Sequence, residues 1–213
     1  MSESWDRRAR LRVADAAARL MVEEGIRDYQ HAKRKAVERL GLNARSSLPT
    51  NVEIHEAIRR YREAFFTEAD YAHEALLWRT ALAAMRLLEP FQPRLTGAVL
   101  EGTAGRHSPV VLHVFAETPE EVLWHLMERG VQYRELERRL RLRGELRAFP
   151  GVRFFGGEIE VEVLVFPGIG LREAPASQTD GRPMRRAGLP EVLARVRDLE
   201  GVARVSPPGG RGG

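Results

Sequence analysis

The stretch from Thr96 to Phe115 constrains the fold more than any other part of this sequence, because two apolar runs flank a polar middle that is rich in glycine. The density of β-branched residues predicts a strand from Val110 to Phe115. The apolar run before it predicts another strand from Leu95 to Leu100. The middle, which contains Gly102 and Gly105, predicts a turn whose backbone approaches another group closely.

The layout of this stretch resembles the core motif of nucleotidyltransferases of the DNA polymerase beta superfamily. In that motif a Gly-Ser pair ends the first strand, a turn of small residues follows, and an Asp-x-Asp pair opens the second strand. The resemblance extends at pattern level over residues 75–166 and places Gly97 and Ala98 on the Gly-Ser pair. It implies an α+β fold, in which an N-terminal helical region precedes a nucleotidyltransferase-like mixed sheet with flanking helices.

The two metal-binding aspartates of that family fall on Pro109 and Val111 in this sequence. The acidic pair of the family holds the divalent ions that bridge nucleotide phosphates, and Mg²⁺ requires oxygen ligands of this kind. Neither proline nor valine supplies such a ligand. The resemblance therefore implies the fold, while this position argues against the metal chemistry of the family.

Side-chain alternation predicts which ionisable groups face the expected site. His113 shares a strand face with the two positions that carry the metal ligands in the family. The resemblance also implies a third carboxylate from a neighbouring strand, and Glu160 or Glu162 of the predicted strand 158–166 matches it. Alternatively, these alternating glutamates form the solvated face of a two-sided strand. His113, Glu160 and Glu162 are thus the candidate catalytic residues.

A second set of residues is predicted to contact a nucleotide or its phosphates. The resemblance places Gly102 and Ser108 on the turn of the family, where the side chain of His107 and backbone N–H groups near Thr103 can also bond a phosphate. A basic loop follows Asp180, and its arginines suit phosphate contact, although ordinary surface has the same composition. The candidate phosphate-binding residues are Gly97, Gly102, Thr103, His107, Ser108, Arg182, Arg185 and Arg186.

Residues 1–90 are expected to form a helical region that packs on a nucleotidyltransferase-like domain at 91–202, with a disordered tail at 203–213. Ser/Thr/Asp caps and capping boxes mark the predicted helix starts, including those at Asp28, Thr50, Thr67 and Thr118. After the motif, the pattern predicts a helix at 119–129, strands at 133–142, 152–155 and 158–166, and a last helix at 189–199.

Composition narrows the classes of protein and partner. No run approaches the ~18 apolar residues that cross a bilayer, and the first residues lack the apolar segment of a secretory signal, so we expect a cytoplasmic protein with no membrane partner. Cysteine is absent, which removes disulfides and thiolate metal sites. The net charge of +4, carried almost entirely by arginine, permits a nucleotide or nucleic-acid partner, although a solvated arginine-rich surface has the same composition.

Three functions remain open at this point. The missing acidic pair favours a nucleotidyltransferase-fold protein that has lost its two-metal centre and binds nucleotide, RNA or a protein partner. Alternatively, His113 and a glutamate hold Mg²⁺ in a rearranged active nucleotidyltransferase. That enzyme would have an antitoxin-like role, since minimal nucleotidyltransferases paired with helical toxins also resemble this core. The third is a DNA-binding protein built on the basic helices of residues 5–42, which are similar to a helix-turn-helix.

Overall fold

The computed structural model describes residues 2–42 and 48–205, with side chains described for residues 7–42 and 48–201. Two short 3-10 turns, Glu89–Phe91 and Gly168–Leu171, accompany the longer elements. The helices are α1 (Ser2–Glu23), α2 (Tyr29–Arg39), α3 (Asn51–Phe65), α4 (Glu68–Leu87), α5 (Ala98–Glu101), α6 (Pro119–Glu128) and α7 (Leu189–Val205). The strands are β1 (Arg94–Thr96), β2 (Val110–Phe115), β3 (Tyr133–Leu142), β4 (Glu145–Gly156) and β5 (Ile159–Phe166).

The first three helices share an apolar core of their own. Side-chain caps fix where α2 and α3 begin, because Asp28 accepts a hydrogen bond from the His31 N–H at 2.6 Å and Thr50 forms a capping box with Glu53. These predicted helix starts are confirmed. The buried residues that meet between the three helices are Val13, Ala14, Ala17, Ala18, Leu20, Val22, Ala32, Ala36, Val37, Ile54, Ala57 and Ile58.

Five strands of the described chain form one mixed sheet in the order β1-β2-β5-β4-β3. β2 and β5 are parallel, and the other neighbouring pairs are antiparallel. In the β2–β5 register Val111 lies opposite Glu162, and His113 lies opposite Leu164. The α+β class and the mixed sheet are confirmed, together with the predicted strands at 110–115 and 133–142 and most of the strand at 158–166.

One face of the sheet packs against α4, α6 and α7 in a single apolar cluster. Alternate residues of β2 and β5, such as Leu112 and Val163, point to this face and are fully buried. The predicted packing of helix 119–129 on the sheet is confirmed, because Val122 and Leu126 of α6 belong to this cluster. Helix α4 also contributes its buried residues here, and not to the core of α1–α3.

The opposite face of the sheet carries a smaller aromatic cluster. Phe115, Phe149 and Phe166 are buried there with Leu164, and the ring centroids of Phe149 and Phe166 are 4.4 Å apart. The segment that follows β5 returns to this side of the sheet, where the guanidinium of Arg186 lies 5.0 Å from the centre of the Phe166 ring. This face therefore buries both apolar and ionisable side chains.

The predicted strand Leu95–Leu100 is wrong beyond Thr96. Gly97 adopts φ 73° and ψ −157°, a conformation that L-residues rarely take, and the chain leaves the sheet there. The N–H of Glu101 then bonds the carbonyl of Gly97 at 3.0 Å, which closes the helical turn α5. Gly102, in the left-handed conformation with φ 70°, ends it. The turn of the motif therefore begins at Gly97.

The remaining predictions concern the chain end and membranes. The predicted disordered tail at 203–213 lies outside the described residues from 206 onward, whereas residues 203–205 belong to α7. Among the described helices, none combines the length and apolar character that crossing a membrane requires.

Candidate binding cavity

A cavity of about 230 Å³ opens beside the turn at residues 97–109, called here the motif turn. Most of its walls come from the motif turn, the connection between α1 and α2, and the loop at 176–184, and single residues of α1, α3, β2 and β3 complete them. Its apolar lining comes from Met21, Ile26, Ile58, Ala98, Val111, Leu140 and Met184, and its polar lining from Arg27, Tyr29, Glu101, Thr103, His107, Ser108, Ser177, Gln178 and Thr179. The cavity is therefore amphipathic, with one guanidinium and one carboxylate on its walls.

The motif turn is pressed against the end of α1. A Cβ built on Gly105 would lie 2.6 Å from the carbonyl oxygen of Val22, so only glycine fits there without a shift of backbone. The N–H of Gly105 donates to Oγ of Ser108 at 2.9 Å, which fixes the shape of the turn. A glycine is needed on the other side as well, since a Cβ on Gly25 would lie 2.8 Å from Cβ of His107.

Two arginine contacts fasten the motif turn to the helices. The buried guanidinium of Arg62 in α3 donates to the carbonyl of Ala104 and, at 2.6 Å, to Glu74 of α4. Arg106 of the turn donates to Asp70 at 2.9 Å. The hydrogen bonds from Thr67, followed by that from Arg106, lower the pKa of Asp70 to about 2. Charged hydrogen bonds to α3 and α4 thus hold the motif turn, which is one wall of the cavity, in place.

Four of the predicted phosphate-binding residues come together on this cavity: Gly97, Thr103, His107 and Ser108. His107 is exposed, while Ser108 is half-buried and already accepts the Gly105 N–H through its hydroxyl. Gly102 does not line the cavity and faces a separate depression beside α7. The structure therefore brings four of the eight predicted residues to one place, while Gly102 serves to end α5.

The three predicted phosphate-binding arginines do not line the cavity. Arg182 is a surface residue with 85% of its side chain exposed, and Arg185 makes an ion pair with Glu191 on the surface. Arg186 turns inward, where its guanidinium bonds the carbonyl of Gly170 at 2.6 Å and lies over the aromatic cluster. Burial, and then the positive charge of Arg94, lower the pKa of Arg186 to about 10. The expectation that Arg186 approaches an external anion is therefore corrected, since its Nε and Nη1 donate inside the fold and its Nη2 is buried.

His113 does not reach the cavity either. It is fully buried, its ring lies 4.5 Å from that of Phe166, and its Nδ1 accepts the Nε hydrogen of Arg186 at 3.0 Å. Burial, and then the charge of Arg186, lower the pKa of His113 to about 3. His113 is therefore neutral at physiological pH, with its proton on Nε2. The prediction that this side chain points into an open site is wrong, because the segment after β5 covers it.

Glu162 lies next to the cavity, but its carboxylate is already paired with two arginines. Its carboxylate is almost completely buried, and it accepts hydrogen bonds from Arg27 at 2.9 and 3.1 Å and from Arg138 at 2.6 Å. Burial alone would raise the pKa of Glu162, but the bonds from the two arginines outweigh it and hold the pKa below its usual value. The solvated-face alternative is therefore wrong for Glu162, whereas Glu158 is exposed.

Glu160 is partly exposed, with a carboxylate oxygen 3.9 Å from Arg153. It does not line the cavity, so His113, Glu160 and Glu162 do not converge on one open pocket. Within residues 7–42 and 48–201, no group of three or more His, Asp or Glu side chains is placed to hold a metal ion.

Sequence reasoning missed Arg27, Tyr29 and Glu101 as cavity residues. The hydroxyl of Tyr29 lies 3.2 Å from Oγ1 of Thr179, and burial together with the charge of Glu101 raises the pKa of this tyrosine. Arg27 pairs with a glutamate that is 135 positions away in the chain. No local pattern in one sequence reports such a contact, so Arg27 and Tyr29 could not have been found from spacing, whereas Glu101 lies within the motif turn itself.

Some basic residues of the first two helices pair within the protein. Lys35 and Arg39 of α2 both pair with Glu24, each at 2.7 Å, and Lys33 is buried with its pKa lowered by burial. Arg10 of α1 lies 3.2 Å from Glu53. Exposed arginines also remain on these two helices, at positions 7, 8, 12 and 34.

No family model matches the sequence, and no curated protein matches it either. Function must therefore be argued from the cavity and its surroundings.

Proposed function

We propose that this chain is a nucleotidyltransferase-fold protein without the two-metal centre, and that its cavity binds a single nucleotide or the terminal nucleotide of an RNA. One observation carries the proposal: four residues predicted from the sequence to contact phosphate line one cavity together with Arg27, namely Gly97, Thr103, His107 and Ser108. Fold alone does not establish function, so the chemistry of this cavity has to support it.

The order of elements supports the family comparison. β1 leads through Gly97 into a short helical turn, β2 follows antiparallel to β1, and α6 comes next on the sheet. Glu162 lies opposite Val111, the position of the second aspartate of the family, where a third carboxylate is expected. The carboxylate is present, but both oxygens are held by arginines instead of a metal.

The size and chemistry of the cavity limit the ligand. Cavities for small molecules usually measure ~300–1,000 Å³, so a volume of about 230 Å³ accommodates part of one nucleotide and no longer stretch of RNA. Arg27 supplies positive charge for phosphate, and Glu101 supplies an acceptor for ribose hydroxyls or a base amino group. The apolar wall of Ile26, Ala98 and Met184 suits the face of a base.

Catalysis of nucleotide transfer is not expected from this arrangement. Metal ions normally neutralise the charge that develops on pyrophosphate, and no aspartate occupies position 109 or 111. His113, which the active-enzyme alternative needs as a base or ligand, is buried behind Arg186. We therefore expect binding without transfer.

The test is calorimetry with the four nucleoside triphosphates and a short RNA, together with transfer assays using labelled triphosphates and Mg²⁺. We expect weak, salt-sensitive binding and no label on the protein, the RNA or a co-purified partner. Ala98→Trp, which fills the cavity, should abolish binding, whereas Ala83→Trp on the exposed side of α4 should not. Thr103→Trp is the second cavity variant if Ala98→Trp does not fold.

Two outcomes would overturn the proposal in different ways. Label transfer would favour the rearranged active enzyme. Failure of every nucleotide and of RNA to bind at low salt would favour a protein partner as the ligand of this fold.

A further inference from the structure

Glu162 and its two arginines form a cluster with unequal charge at the edge of the cavity. One buried carboxylate faces two guanidinium groups, so the cluster carries a net charge of +1. The side chains of Arg27 and Arg138 are 47% and 44% exposed, while that of Glu162 is only 3% exposed. The excess positive charge therefore lies on the accessible side.

The two arginines differ in position. Arg27 lines the cavity and belongs to the connection between α1 and α2, outside both helices. Arg138 is in β3, bonds only one oxygen of Glu162 among the described residues, and does not line the cavity. Arg27 can therefore contact a ligand in the cavity, and Arg138 can stay hydrogen-bonded to Glu162 while Arg27 does so.

We propose that Arg27 receives the anionic group of the ligand in the cavity, that Glu162 restrains Arg27 in the empty protein, and that Arg138 keeps Glu162 paired when Arg27 turns to the ligand. The inference rests on the proposed function and adds a regulating device to the same site. Its physical reason is that a buried carboxylate cannot lose both partners without a large desolvation cost, so the second arginine makes the exchange possible.

If this device operates, substitution of Glu162 and substitution of either arginine should change the affinity for the ligand in opposite directions. Removing the competing carboxylate in Glu162→Gln should tighten binding of an anionic ligand by about threefold to tenfold. Arg138→Gln should weaken it by a similar factor, because Glu162 then holds Arg27 alone. Arg27→Gln should lower the affinity about tenfold or more, through loss of a charge-assisted hydrogen bond. A purely structural cluster would give losses, or no change, in all three variants.

The experiment is calorimetry of the full chain with ATP and with adenosine, both in EDTA so that no metal bridges ligand and protein. We expect the three changes for ATP and none for adenosine, which lacks the anionic group. Arg86→Gln, on the exposed side of α4 outside the cavity, is the control for net charge. Circular dichroism should show that each variant is folded. If Glu162→Gln does not fold, the test is whether Arg138→Gln and Arg27→Gln lower the affinity for ATP and leave that for adenosine unchanged, because a merely structural role would lower both affinities.

The outcomes separate this inference from the proposed function. If wild-type protein binds ATP and adenosine but Arg27→Gln leaves the ATP affinity unchanged, or folded Glu162→Gln binds ATP no better, the device is wrong and the binding function stands. If wild-type protein binds neither ligand, and none of the other nucleotides nor the RNA binds at low salt, both proposals fail together.

Discussion

Arg186 donates its Nε hydrogen to Nδ1 of His113 across 3.0 Å, and this pair closes one side of the sheet. Both side chains lie against the ring of Phe166, and Arg186 also bonds the carbonyls of Gly170 and Glu173. An arginine and a histidine that the sequence offers as ligand-binding and catalytic candidates thus hold the loop after β5 on the sheet.

Arg186→Gln should destabilise the protein by roughly 2–4 kcal/mol, because it removes several charged hydrogen bonds from a largely buried site. The matched variant Arg185→Gln removes a surface ion pair and should change stability by less than about 0.5 kcal/mol. Urea unfolding followed by circular dichroism measures both. Equal stabilities of the two variants would show that Arg186 has no such role.

His113 should make the fold sensitive to mild acid. Its pKa of about 3 in the fold lies below the ordinary 6.5, so the unfolded chain binds more protons between these values. Its stabilising contribution is complete above about pH 6.5 and is lost as the pH falls towards 3, amounting to at most about 5 kcal/mol at ~1.4 kcal/mol per pKa unit. Urea unfolding at several pH values measures the slope.

His113→Gln should flatten that dependence of the unfolding free energy on pH. The control is His31→Gln, which changes an exposed histidine and should leave the slope as it is in the wild type. An unchanged slope in His113→Gln would mean that other groups govern the response to acid.

Gly105→Ala should destabilise the protein by about 1–3 kcal/mol, since the new methyl group would overlap the backbone of α1 and displace the motif turn. Gly201→Ala in α7 is the control with the opposite sign. A Cβ there meets nothing within 4 Å, and alanine in a helix should add roughly 0.5–1 kcal/mol. Thermal unfolding of both variants measures these changes in stability. A Gly105→Ala protein as stable as the wild type would show that the turn can move away from α1.

The protein in solution should not bind Mg²⁺ tightly. Proline and valine replace the aspartates at positions 109 and 111, and the oxygens of Glu162 already accept three hydrogen bonds from arginines. Calorimetry with Mg²⁺ and Mn²⁺ measures this. Micromolar affinity that is lost in Glu160→Ala or Glu162→Ala, but kept in Glu158→Ala, would restore the active-enzyme alternative.

Local signals correctly predict the longer helices and the central strands. The capping boxes at Thr50, Thr67 and Thr118 mark helix starts that the structure contains, because a cap depends on residues three apart. The strand at 95–100 failed at Gly97, since apolar residues fit a short buried helix as well as a strand.

The site was predictable only where its residues are neighbours in sequence. Thr103, His107 and Ser108 share one turn, and the structure places all three on the cavity. Burial of His113 and the reach of Arg27 to Glu162 depend on how distant segments fold back over the sheet. Alternation along a strand gives the face of a side chain but not what covers that face.

The two edges of the sheet have a consequence for the behaviour of the chain in concentrated solution. β1 is three residues long, and its outer side is bonded through Leu95 to Ala187, while β3 at the other edge is densely charged. An edge strand that is short, covered or charged is a poor template for a strand from another molecule. The sheet is thereby protected against growth into aggregates, and its two most apolar strands, β2 and β5, lie inside it with both sides paired.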